Sequence, residues 1–281
     1  MPLHPPFCLL LLARPLSEGK QMSDILQRND AGAITTLTLN DPATLNSLSD
    51  EMLAALSDQL SDIAQSPQRV VILRGAGKAF CAGHNLRQMQ AMRQAADGGT
   101  AAFADLFDRC TAVMAQMREL PQPVIAQVHG IAAAAGCQMV ANCDMAIADT
   151  NTRFAVNGVN IGLFCSTPMV ALSRNMPRKR AFEMLTTGDA ISAQNATDLG
   201  LINRAVAPDS LAQETQNLAE KVAGKLSSAV RIGKSAFYTQ LERSAADAYA
   251  LTRDAMVQNL AHPDTAEGMQ AFIEKRAPNW D

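Results

Sequence analysis

Apolar and polar residues alternate along Ala33-Ile34-Thr35-Thr36-Leu37-Thr38-Leu39, and a period of two with β-branched side chains predicts a strand. The period then changes. Met52, Leu53, Leu56, Leu60 and Ile63 recur at helical spacing behind Ser49, with Asp50 and Glu51 opening the segment. A capped amphipathic helix is expected there, closed by Pro67. Val70-Val71-Ile72-Leu73 is a continuous apolar run, hence a buried strand, and Gly75-Ala76-Gly77 is a turn. The cycle returns with a strand over 124–128, a helix over 135–142 and a strand over 145–148. Strands alternating with helices predict α/β layering. A long amphipathic helix is expected over 97–120 after the Gly98-Gly99 break, and 88–99 is the expected mobile lid. Beyond Thr186 strand signals fade except over 201–206, and long helices are expected over 210–225 and 245–262.

Two stretches break this rhythm with small residues. Phe80-Cys81-Ala82-Gly83-His84-Asn85 and Gly130-Ile131-Ala132-Ala133-Ala134-Ala135-Gly136-Cys137-Gln138 each follow an apolar strand and lead into a helix-like segment. Either alone reads as backbone packed closely on backbone. As a pair they offer two sets of unpaired N–H groups, and two such donors converging on one point stabilise a negative acyl oxygen.

Composition narrows the partners. At 281 residues, 48% hydrophobic and 18% charged, the chain is long enough to bury a sizeable core. A net charge of −3 and 4% aromatic residues give no basis for expecting nucleic acid or an anionic membrane as partner. The six cysteines have no CxxC spacing and the four histidines no paired spacing, so buried thiols and no metal site are expected. Phe7-Cys8-Leu9-Leu10-Leu11-Leu12-Ala13 is too short to span a bilayer and lacks a preceding Lys or Arg. Residues 1–22 are therefore expected to be a tail, with Met22 as the natural start, and the protein cytoplasmic; an organelle-targeting reading would make it mitochondrial.

Six blocks in order carry a family resemblance: Leu39-Asn40-Asp41-Pro42, Asn46-Ser47-Leu48, the run from Gly75 to Gly83, Pro123-Val124-Ile125-Ala126, Cys143-Asp144 and Glu274-Lys275-Arg276. On these the chain resembles the crotonase (enoyl-CoA hydratase/isomerase) superfamily. The stretch from Asn157 to Pro168, with Pro177-Arg178-Lys179, resembles its enoyl-CoA hydratase domain-containing protein 3 subgroup. The resemblance implies a crotonase-like spiral of ββα units over 23–205 and a C-terminal helical trimerisation module over 206–281. It further implies an acyl-CoA ligand in fatty acid metabolism, no cofactor beyond the coenzyme A of the substrate, and a homotrimer or a dimer of trimers.

Carried over residue by residue, the family's oxyanion-hole donors are the backbone N–H groups of His84 and Ala135. Arg87 and Lys275 match positions that reach coenzyme A. The hydratase glutamates fall on Gln138 and Gly158, and a further acidic position falls on Ser166. An amide accepts no proton near neutral pH, and glycine has no side chain. Gln138 is left to position water. Asn157, Asn160 and Ser166 are expected to line a polar, uncharged pocket, while a histidine such as His84 in a loop more often faces solvent. Asp144 reads as structural. The expected function is an enoyl-CoA hydratase-like lyase step through a thioester enolate. A non-catalytic CoA-thioester-binding protein and isomerisation are the alternatives, and a serine peptidase of this fold is excluded because 132–135 supplies no nucleophile.

Overall fold

The computed structural model describes residues 25–280. Strand β1 (Leu26–Ala31) pairs antiparallel with β2 (Ile34–Leu39), after which β3 (Val70–Gly75), β4 (Val124–Val128), β6 (Met145–Asp149) and β9 (Arg204–Val206) add in parallel. A second sheet joins β5 (Ile131–Ala133), β7 (Arg153–Ala155) and β8 (Ile191–Ser192) in that order. Parallel neighbours require crossover connections. They are supplied by α1 (Asp50–Ala64) between β2 and β3, and by α2 (Leu86–Met92) and α3 (Thr100–Glu119) between β3 and β4. Helix α4 (Ala135–Asn142) links β5 to β6. Helices α5 (Ser166–Asn175), α6 (Arg178–Thr187) and α7 (Ala193–Asp198) lie between β7 and β9. Beyond the last strand come α8 (Leu211–Ala223), α9 (Ser227–Gln240), α10 (Ala245–Leu260) and α11 (Pro263–Glu274).

The unbroken Val70–Leu73 run is explained by burial on both faces, since successive strand residues point to opposite sides. Val71 and Leu73 join the main core with Leu53 and Leu56 of α1 and Val113 and Met117 of α3. Val70 and Ile72 join Ile34, Ile125 and the small face of α8, Ala219 and Ala223. Helix α1 begins where expected, with the Ser49 hydroxyl accepting from the Met52 N–H at 3.2 Å, and ends at Ala64, ahead of Pro67.

Several expectations are corrected. The expected lid is part helix, because Asn85 caps α2 by accepting from the Arg87 and Gln88 N–H groups. Helix α3 starts at Thr100 rather than 97, since Gly98 and Gly99 both take positive φ. Strand pairing near 201–206 is confined to β9. Helices α9 and α11 were not anticipated.

Helix α9 is fastened to the core through Asp144. The Lys234 ammonium, almost fully buried, donates to Asp144 Oδ2 (2.7 Å) and to the Met117 and Gln122 carbonyls (3.0 Å each). Tyr238 and the Val124 N–H donate to the same carboxylate at 2.8 and 2.6 Å. Burial lowers the Lys234 pKa, an effect that the Asp144 carboxylate offsets only in part. Every polar atom of the pair thus has a partner, the condition under which a buried charge is tolerated.

Candidate active site

The two small-residue turns meet. Asn46, in the left-handed region with φ 55°, donates from Nδ2 to the carbonyls of Ala76, Ala79 and Phe80 and accepts from the Asp41 N–H at 2.9 Å. That knot fixes the loop that runs into Gly83. Cys81 bridges to Ala132 of β5, and the Ala133 N–H donates to the Cys81 carbonyl at 2.9 Å. A side chain on Gly136 would collide with that same carbonyl, so only glycine lets α4 start this close. At Gly83 (φ +96°) a Cβ would stand 3.0 Å from the Ala133 carbonyl oxygen and 3.3 Å from the Ala135 nitrogen. The 80–85 loop and the start of α4 are therefore in van der Waals contact.

Peptide geometry then decides where the donors point. The Leu48 N–H donates to the Gly83 carbonyl at 2.7 Å. Across a trans peptide the N–H opposes the C=O, so the His84 N–H faces away from Leu48. The Gln138 N–H donates to the Ala134 carbonyl at 3.0 Å, so the Ala135 N–H faces out of the helix start by the same argument. Neither His84 nor Ala135 N–H donates a hydrogen bond among the described residues. Ala134 holds φ 47°, ψ −116°, a conformation uncommon for a residue with a Cβ. Its N–H is tied to the Ala155 carbonyl at 2.9 Å.

Side chains around these donors are uncharged. Gln138 is buried and its Oε1 has no partner. His84 does not face solvent, contrary to expectation. Both ring nitrogens are buried and unpartnered, and the ring packs edge-on against Phe107 of α3, centroids 5.6 Å apart. Burial lowers its pKa, opposed by the nearby Leu48 carbonyl.

The remaining sequence-chosen residues lie at varied distances from this centre. Gly158 is buried in a one-turn helix over Asn157–Ile161, where a Cβ would collide with the Leu163 carbonyl and the Cys165 sulfur. The Leu163 N–H also closes on the Gly158 carbonyl at 2.9 Å. The turn therefore has no room for a side chain, and a glutamate cannot be accommodated at 158 without moving the backbone. Asn157 and Ser166 are exposed, Ser166 Oγ bonding only the Phe164 carbonyl at 3.4 Å. The Asn160 side chain packs against Gly188 instead of lining the donors. Arg87 is exposed on α2, and Lys275 is exposed at the end of α11 in a left-handed conformation. Among the described residues no cluster of His, Cys, Asp and Glu fits a metal ion. Phe107 escaped the sequence reading, and Asn46 entered it only as part of the Asn46-Ser47-Leu48 block.

Comparison with known proteins gives one family. The sequence profile of the enoyl-CoA hydratase/isomerase family matches residues 29–281. The mitochondrial enoyl-CoA hydratase domain-containing protein 3 of Xenopus laevis is 45% identical over 248 residues, 88% of this chain and 83% of its own length. Among solved structures, an enoyl-CoA hydratase from Mycobacterium smegmatis superposes with a TM-score of 0.88 at 48% identity, covering 91% of this chain and 98% of its own. The human enoyl-coenzyme A hydratase domain-containing protein 3 superposes with a TM-score of 0.87 at 42% identity, covering 91% and 100%.

Proposed function

The chain belongs to the enoyl-CoA hydratase/isomerase family, and from that premise we propose that it binds acyl-CoA thioesters and stabilises their enolates at the His84 and Ala135 N–H groups. The observation that carries this reading is the adjacency of those two donors, each unpaired and each turned away from its own peptide's bonded carbonyl. A thioester oxygen accepting from both gains stabilisation as negative charge develops on it. One such donor is worth roughly 3 kcal/mol in comparable sites. Nothing beyond the coenzyme A of the substrate is required for that step. Arg87 and Lys275 are the cations proposed to meet its phosphates, and Asn157 and Ser166 the exposed polar groups proposed at the pocket mouth.

The reaction is proposed to be a hydratase-like lyase step run without the usual carboxylate pair. Gln138 orients water by hydrogen bonds alone, and Gly158 contributes no side chain. The apolar residues exposed on the C-terminal helices, Tyr249, Met256 and Phe272 among them, support a trimer or a dimer of trimers. The mitochondrial name of the Xenopus relative supports the organelle-targeting reading of residues 1–22, which lie outside the described residues.

Calorimetry with butyryl-CoA, paired with a crotonyl-CoA hydration assay, tests the proposal. Ala135 is the first residue of α4, where proline keeps the helix and removes the donor. Micromolar binding by the wild type and a loss of at least tenfold in a folded Ala135→Pro protein are expected. Unchanged affinity in that variant overturns the assignment. Binding with no turnover of any enoyl-CoA favours the binding-protein reading.

A further inference from the structure

Buried polar atoms without partners are rare and call for an explanation. Two of them belong to residues that carry or closely follow the unpaired N–H groups in the chain. His84 carries one of those groups on its backbone and ends in a ring whose Nδ1 and Nε2 are both buried without a well-formed hydrogen bond, the Leu48 carbonyl being the polar group nearby. Gln138 lies one turn into the helix that Ala135 begins, and its Oε1 is equally buried and unbonded. A neutral imidazole offers one donor and one acceptor, and an amide oxygen accepts. The acceptor nitrogen of the ring and the amide oxygen are each left free to take a hydrogen bond from water.

We infer that the His84 imidazole is the proton-transfer group of this site, acting on a water that Gln138 Oε1 holds. The inference rests on the acyl-CoA reading above and supplies the acid–base half that the absent carboxylates leave open. With an enoyl thioester bound, the water oxygen forms a bond to Cβ and one water proton passes to the acceptor nitrogen of the ring. The C=C π pair moves onto the thioester oxygen, held by the His84 and Ala135 N–H groups. The enolate then collapses, its electron pair takes the proton from the imidazolium at Cα, and the ring returns to neutrality. One water is added, no electrons are lost or gained, and no further reactant is needed.

The surroundings suit a neutral base. Phe107 of α3 closes one side of the ring. On the same helix Arg109 is bonded to Asp105 and, across to α1, to Asp50, at 2.7 Å each, while Asp108 is exposed. Glu51 of α1 accepts from Gln88 of α2 at 3.1 Å, and Arg87 of α2 is exposed. Cys81 and Cys110 are buried thiols pushed up to about 12 and so uncharged. From α4, Gln138 carries no charge. Burial leaves the ring neutral at pH 7, with a pKa below its ordinary 6.5. The rate is therefore flat above neutrality and falls as pH drops through that lowered pKa.

The test uses the full chain and three readouts: butyryl-CoA affinity, exchange of its α-protons in D2O followed by NMR, and the pH profile of crotonyl-CoA hydration. His84→Gln keeps the backbone N–H and removes the base. Affinity within threefold of wild type is expected, with exchange and hydration lower by roughly 10²–10⁴-fold and the acid limb of the profile gone. Retained affinity with unchanged exchange, or a wild-type profile with no acid limb down to the pH at which the protein unfolds, overturns the inference and leaves the functional reading standing. Failure of wild type to bind butyryl-CoA overturns the functional reading and the inference with it. Should His84→Gln not fold, the wild-type profile still decides: an acid limb below 6.5 supports the imidazole.

Discussion

Two substitutions at the positions that align with the family's carboxylates should behave oppositely. Gln138 is already buried beside the unpaired donors with a free oxygen, so Gln138→Glu replaces an amide with a proton acceptor of nearly the same shape. A single general base typically contributes 10²–10⁴-fold, and crotonyl-CoA hydration should rise by at least about tenfold, read in a continuous assay. Gly158→Glu should gain nothing. Its Cβ collides with the Leu163 backbone, so the expected result is a lower melting temperature and no added turnover. Equal stability for the two variants would contradict that geometry. A third residue-scale prediction concerns Asp144. Asp144→Ala strands the buried Lys234 ammonium, and breaking a buried pair from one side costs about 3–5 kcal/mol. Urea unfolding should show that loss, whereas a loss below about 1 kcal/mol would mean α9 is held by other contacts.

Among the elements, the loop–helix contact is the one that makes the site. Gly83 and Gly136 let two backbones touch where any side chain would separate them, so Gly83→Ala should push the 80–85 loop from α4. Acyl-CoA affinity is expected to fall at least tenfold while the far-UV circular dichroism stays unchanged. These glycines were visible in the sequence because small residues between a strand and a helix have few other uses. The strands over 33–39, 70–73 and 124–128 were visible through their period of two or their unbroken apolar runs. What the sequence concealed was contextual. Helix α9 carries a lysine that reads as a surface charge until Asp144 is seen across the fold. His84 reads as a solvent-facing loop residue until Phe107, from a helix far along the chain, closes over it. Gly158 reads as a lost carboxylate, and only the Leu163 carbonyl reveals a turn with no space for one.

At the scale of the whole molecule, the C-terminal helices leave apolar surface uncovered. Tyr249 of α10 is 80% exposed and Phe272 of α11 is 85% exposed, with Val257, Met269 and Ile273 beside them in chain order. Large apolar side chains left exposed along two successive helices are the composition of an interface. Sedimentation should give three or six times the 30.0 kDa chain mass, and Phe272→Glu should shift the distribution toward monomer. A monodisperse wild-type monomer would refute the trimer proposal while leaving the site within each chain intact. The central claim is that two backbone N–H groups grip a thioester oxygen, and the carbonyl stretch reports it most directly. Infrared difference spectra of crotonyl-CoA labelled with ¹³C at C1 should show the band shifted to lower frequency on binding to wild type, and returned toward its solution position in folded Ala135→Pro. An unshifted carbonyl band in the wild-type complex would contradict the account.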